Sequence, residues 1–206
     1  MKILKTIILF LFVSFNNLYA QQVKFGIKAG LQQNQLMYAA DVDESEFKQI
    51  IVGIGYQAGA TATLNLTDYF VIQPAILLSS KSVKIIDDIK FDFMNIDLPL
   101  NFLFIEGGFF AGAGPNFSYG IKGESDYKGV NSDFYGEITD DQVFAMKRFE
   151  VGLSTIMGYR FKNNITINAA YVNGLANLIR NSDEVASGSA TNSGFRTLSF
   201  AVGYNF

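Results

Sequence analysis

Apolar side chains recur at every second position in eight stretches of the chain, separated by residues that are small, polar or charged. In 23–31 the odd positions carry Val23, Phe25, Ile27, Ala29 and Leu31, while the even ones carry Lys24, Gly26, Lys28 and Gly30. A period of two is the β-strand period, so each such stretch predicts a strand with unlike faces. The reading extends to 52–66, 70–80, 94–104, 109–122, 148–161, 165–174 and 195–206. In 94–104 it is sharp: Met94, Ile96, Leu98, Leu100, Phe102 and Phe104 oppose Asn95, Asp97, Pro99, Asn101 and Leu103. In 195–206 Arg196 falls on the apolar face, at its outer end. Pro74 has no N–H for a ladder, which predicts a bulge or a locally unpaired carbonyl.

Eight is an even number, and strands of about 9–15 residues suffice to cross a bilayer at a steep tilt. The connections 67–69, 105–108 and 162–164 are short, whereas 32–51, 81–93, 123–147 and 175–194 are long and polar, and all but the charge-balanced 81–93 are acidic. Short turns at one rim and long loops at the other predict an all-β, eight-stranded antiparallel up-and-down transmembrane β-barrel. In that arrangement the short turns and both mature termini are periplasmic, and the long loops are extracellular. A soluble lipocalin-type barrel would reverse the polarity, with the apolar faces lining a cavity. Two features oppose the reversal. The apolar faces end near the short-turn rim in Phe70, Phe104, Phe109, Phe161, Tyr204 and Phe206, an aromatic set suited to a membrane interface. The opposite faces carry Lys24, Lys28, Asp97, Lys122, Arg148, Glu150 and Arg160, which would meet lipid if turned outward. Turned inward, they predict a lumen charge network that pairs across a narrow barrel and plugs it against ion flow.

The first twenty residues do not share the alternation. Lys2 and Lys5 precede the apolar run 7–15, Asn16 and Asn17 follow, and Leu18-Tyr19-Ala20 ends on a small residue. This is the layout of a secretory signal peptide over 1–20, with the barrel in 21–206. The run is short of the ~20 residues of a spanning helix. Leu18 is larger than the residue usual at that place before a cut.

Composition narrows the chemistry. The 206 residues contain no Cys, His or Trp, but 20 Phe, 10 Tyr and 19 Gly, and only 17% are charged. Without His or Cys there is no imidazole or thiolate for a nucleophilic triad, a dyad or a zinc site. Barrel enzymes that use a His base are thereby excluded, and the expectation is a protein without catalytic, cofactor or metal sites. Without Lys2 and Lys5 the chain carries 14 basic and 19 acidic residues, a balance that offers nothing to a nucleic acid. Asp41, Asp43, Glu44 and Glu46 cluster in the first long loop, and Asp140-Asp141 stand in the third. The first cluster lacks the Gly and the distal Glu of a calcium loop. Both read as solvated charge at a cell surface. Gly107-Gly108 and the glycines of 112–114 precede no helix and form no dinucleotide fingerprint.

Several short segments carry a family likeness. They are Phe25-Gly26-Ile27-Lys28-Ala29-Gly30, Ile72-Gln73-Pro74-Ala75, Ile96-Asp97-Leu98-Pro99-Leu100, Ala113-Gly114-Pro115, Tyr171-Val172-Asn173-Gly174-Leu175 and the closing Ala201-Val202-Gly203-Tyr204-Asn205-Phe206. In their order and spacing the chain resembles the Bacteroidetes-type outer-membrane β-barrel family that includes the PorT-like proteins. The resemblance implies an outer-membrane barrel, in contact with outer-membrane lipid and lipopolysaccharide. It also implies that Tyr204 and Phe206 look like a signal read by the barrel-insertion machinery. A role in a protein secretion or transport assembly, with a secretion-complex or extracellular partner, is what PorT itself suggests.

Overall fold

The computed structural model describes residues 23–39, 51–86, 89–127, 130–133, 135, 147–175 and 192–206. The strands are β1 (Val23–Ala39), β2 (Ile51–Asn65), β3 (Phe70–Ile86), β4 (Ile89–Glu106), β5 (Phe109–Tyr127), β6 (Val130–Asp133), β7 (Phe149–Arg160), β8 (Ile165–Gly174) and β9 (Asn192–Asn205). Every pairing is antiparallel, each long strand bonding the next in sequence, and β1 pairs with β9 to close the ring. The closed barrel therefore has eight strands. The ninth, β6, is a short hairpin partner for the end of β5, where β7 has already left it. The signal segment 1–20 lies outside the described residues.

Alternation sets which side faces out. Phe25, Ile27 and Leu31 are exposed on β1, as are Leu153, Met157 and Tyr159 on β7. Gln32, Asn34, Ser79, Asp97, Ser118 and Glu150 are buried inside the ring. An apolar outer face on a closed sheet is the arrangement lipid requires, because closure lets the wall pair its backbone groups strand to strand. Rings crowd the short-turn rim: Phe70 packs edge-on against Phe104 at 5.6 Å, Tyr159 against Phe161 at 5.0 Å and Tyr204 against Phe206 at 5.4 Å.

The turns at this rim follow their residues. Gly107 and Gly108 both take positive φ, 59° and 89°, the two-residue hairpin geometry that glycine allows at no steric cost. Thr67 Oγ1 accepts from the N–H of Tyr69 and of Phe70, and Asn164 takes the left-handed conformation at φ 65°.

Three expectations change. First, β3 and β4 run on to Ile86 and from Ile89, so 81–93 is mostly a continued hairpin and not a long loop. Outside the lipid both faces of a strand can be polar, and backbone pairing continues where the period-two signal stops. Second, of the two outcomes expected at Pro74 the structure has the lapse in pairing and not the bulge: the β2–β3 register is the same on either side, and pairs are missing between Thr61↔Ala75 and Leu64↔Ile72. Third, a register shift does occur in β5, where Met94 faces Lys122 but Asn95 faces Gly120, leaving Ile121 as the extra residue.

Candidate functional site

The inner face is layered. Near the short-turn rim Val71, Leu103, Phe110 and Ile156 form an apolar cluster, with Ile105 and Ala170 against it. Near the long-loop rim Phe93, Tyr135 and Phe195 form a second, with Leu36 and Phe91 against it. Between the two lies a polar layer, built by inward positions of β1 to β5, β7 and β9.

Asp97 is its centre. Its carboxylate accepts from Ser79 Oγ on β3 and Ser118 Oγ on β5, each at 2.5 Å, and faces Lys81 Nζ at 3.8 Å. Asn95 Nδ2 donates to Ser118 Oγ at 3.0 Å, which completes the chain. Glu150 on β7 is buried and accepts the Phe195 N–H at 2.9 Å. A Cβ on Gly174 would stand 2.1 Å from Glu150 Oε1, so the carboxylate fills the gap where β8 ends. Lys28 projects from β1 into the space between the clusters and lines two small cavities.

The first cavity, about 30 Å3, also touches Gln57, Lys81, Asp97 and Asn101. Gln57 Nε2 and Asn101 Oδ1 make no hydrogen bond within the protein. The second, about 20 Å3, touches Arg160, Asn168 and Asn205, each with one such unpaired atom. A water needs about 10–15 Å3 and two or more polar partners. Both spaces suit one or two waters and are too small for an organic solute.

The residues anticipated as one inward network divide. Lys28, Asp97 and Glu150 are in the polar layer. Arg160 lies at the short-turn rim, partly buried, its N–H bonded to Gly108 O at 2.7 Å. Lys24 is exposed, on the part of β1 that precedes its first β9 partner, Gly26↔Asn205. Lys122 is a correction: it is 60% exposed and paired at 2.6 Å with Glu124. The extra residue Ile121 reverses the phase of β5, so Gly123 turns inward and Lys122 outward. Arg148 is half-buried beside Tyr135. It donates from Nη1 to the carbonyls of Gly120 and Ile121, at 3.2 and 3.1 Å, and from Nη2 to Tyr135 O at 3.4 Å. Among the described residues it serves the backbone at the bulge, where the ladder is disturbed.

Lys81 is the inward charge that the alternation missed. It is buried, two steps beyond Ser79 and its predecessors Leu77 and Ala75, one position past the expected end of the strand. Continuing the period by a single step would have found it. Phe206 follows β9 and holds β1 through its N–H to Phe25 O at 2.8 Å, while its ring is 69% exposed on the outer face. Asp41, Asp43, Glu44, Glu46, Asp140 and Asp141 lie outside the described residues.

A family model described as outer membrane protein beta-barrel domain matches residues 19–180. Among solved structures, the chain is similar to Neisserial surface protein A, at TM-score 0.56 and 13% identity, over 90% of this chain and 99% of that one. It is also similar to Ail, the attachment invasion locus protein of Yersinia pestis, solved with the heparin analogue sucrose octasulfate. There the TM-score is 0.50 and the identity 14%, over 90% of this chain and 99% of that one. At such identities the likeness is one of fold. No curated protein matches the chain in sequence.

Proposed function

We propose that this chain, which belongs to the outer membrane protein beta-barrel domain family and sits in the outer membrane, is a non-enzymatic barrel that works through its loops and not through its lumen. The observation that carries the reading is the filling of the interior. Two apolar clusters bracket a polar layer in which Lys28, Lys81, Asp97 and Glu150 balance in charge. Eight-stranded barrels have an interior that side chains can fill. The two cavities described are of water size. The absence of His and Cys from the whole chain, and the engagement of Asp97 and Glu150 by donors, support a role other than catalysis.

In this reading residues 1–20 are a cleaved signal, 21–206 form the barrel, and both mature ends and the short turns are periplasmic. The long loops then meet the outside, beside lipopolysaccharide. Their acidic side chains suit a protein partner with a basic surface. The sulfated ligand in the Ail structure is a poor guide here, because like charges repel.

The test is planar-bilayer recording of the purified barrel. The expected record shows little or no steady conductance, and a large stable open state like that of a general porin overturns the reading. The resemblance to PorT-like proteins of Bacteroidetes supports a second reading, a component of a secretion or transport assembly. Stoichiometric partner subunits retained through purification in mild detergent would favour it. Loss of surface binding on loop exchange would favour the first.

A further inference from the structure

The cavity at the short-turn end of the lumen, about 20 Å3, is lined by two cations and no carboxylate. Lys28 reaches it from β1 and Arg160 from the end of β7. Asn168, Asn205 and two threonines, Thr61 and Thr166, are among its polar neighbours. Inward glycines make room for these side chains. A Cβ on Gly203 would stand 2.7 Å from Thr166 Oγ1 and 3.3 Å from Lys28 Cβ, and one on Gly158 would stand 2.8 Å from Asn168 Cβ. A Cβ on Gly26 would stand 2.6 Å from Asn205 Oδ1. None of the three glycines has a positive φ, so the backbone does not require them. What they share is a polar side chain of this cavity against each.

The lining is rich in donors that lack acceptors. Among the described residues neither Lys28 nor the Arg160 side chain makes an ion pair. Arg160 Nε and Asn205 Nδ2 are buried donors without a hydrogen bond, and Asn168 Oδ1 is an unpaired acceptor. Asp97 lines the neighbouring cavity together with Lys28, but Lys81 and two serines already hold it. Charge points the same way. Between the Phe93–Phe195 cluster and the short-turn rim, the described interior sets three cations, Lys28, Lys81 and Arg160, against two carboxylates, Asp97 and Glu150. One positive charge is left over. An arginine keeps its proton in a protein, so Arg160 does not shed the excess by titrating. Water would satisfy the hydrogen bonds and leave the charge, and a buried charge without a counter-charge is costly.

We propose that this cavity is a chloride site, in which Lys28 and Arg160 supply the charge and Asn205 Nδ2 a neutral donor. One monovalent anion cancels the excess and accepts from the donors that the protein leaves open. Chloride is little larger than a water, and the space holds one or two waters. Sulfate, phosphate and carboxylate ligands are too large for it. The Asn168 amide presents a donor in place of its oxygen on turning over. The ion ties β1, β7 and β9 together across the short-turn end. The inference goes beyond the filled lumen and stands whatever the loops bind.

The test compares sodium chloride with sodium gluconate, whose anion does not fit the cavity, at one ionic strength of about 0.15 M. Urea unfolding of the barrel in detergent micelles is the readout. An ion bound with a dissociation constant a tenth of its concentration raises the folding equilibrium constant about tenfold in chloride over gluconate. Arg160→Gln loses that response. Asn168→Asp supplies a carboxylate of its own, so it is as stable in gluconate as the parent is in chloride, and chloride adds nothing further. Lys122→Gln, which removes an exposed charge on the outer face, keeps the full response and controls for screening. Crystals of the parent grown in bromide show an anomalous peak in the cavity between Arg160 and Asn205. A cavity without that peak overturns the site. So does a parent equally stable in chloride and gluconate, or a chloride response undiminished in Arg160→Gln and Asn168→Asp. Steady conductance of the parent barrel is a separate readout, which overturns the filled lumen and leaves the chloride site standing.

Discussion

Lys81 and Asp97 face one another inside the wall, with 5% and 12% of their side chains exposed, so their charges have little water to fall back on. Asp97 also accepts from two serine hydroxyls, which fixes it where Lys81 can reach it. Removing one charge leaves the other uncompensated. Asp97→Asn is therefore expected to cost about 3–5 kcal/mol, the usual penalty for half of a buried pair. Adding Lys81→Met should recover most of it. Urea unfolding in detergent micelles, followed by tryptophan-free probes such as far-UV circular dichroism, measures both. A single variant within about 0.5 kcal/mol of the parent would show that Glu150 or water already carries the lysine. At this scale the sequence was legible wherever the strand phase was intact. Lys28, Asp97 and Glu150 follow from alternation alone. Lys122 does not, because Ile121 shifts the phase of β5 and nothing in the residue types at 120–123 announces the shift.

Strand identity was read correctly for all eight wall strands, since a wall between lipid and a polar layer forces unlike faces. Strand length was not. Past position 80, Lys81, Ser82 and their partners Phe93 and Asp92 still pair, with Ser82 Oγ bonded to Asp92, but the buried face now carries a lysine opposite a phenylalanine, so polar and apolar no longer mark inside and outside and the pattern blurs. The Gly107–Gly108 turn shows the opposite case, in which two residues dictate an element end. Both carry positive φ, and a Cβ on Gly108 would also stand 2.7 Å from Arg160 O. Gly108→Ala is expected to destabilise the barrel by about 1–2 kcal/mol, the cost of a side chain in left-handed backbone. Gly107→Asn should cost much less, because nothing stands within 4 Å of its Cβ and Asn tolerates that conformation. Urea midpoints of the two variants, compared with the parent, decide it: equal losses would mean that the φ values and not the contact with Arg160 govern the turn.

Closure is a property of the whole ring, and the last residues complete it. β9 pairs with β1 from Gly26↔Asn205 to Ala39↔Asn192, and the Phe206 N–H adds a bond to Phe25 O. The Phe206 ring gains little from protein packing, since it is 69% exposed and meets Tyr204 edge-on. Full burial of such a ring is worth roughly 1.5–3 kcal/mol, so what this one contributes to the folded barrel is less. Many backbone pairs along β1 and β9 remain when it is gone. Deleting Phe206 should therefore leave folding into detergent nearly unchanged, by heat-modifiable migration. If Tyr204 and Phe206 form the signal read at insertion, the same deletion should lower the amount of barrel in the outer membrane of cells far more than Phe200→Ala. Phe200 is a fair control, because it is 62% exposed on the same outer face of β9 and lies nearer mid-membrane. The two measurements separate the roles. A deletion variant that assembles in cells as well as the parent makes Phe206 an interface aromatic only. One that fails equally in cells and in detergent makes its bond to β1 a closure contact, and the signal role falls with it.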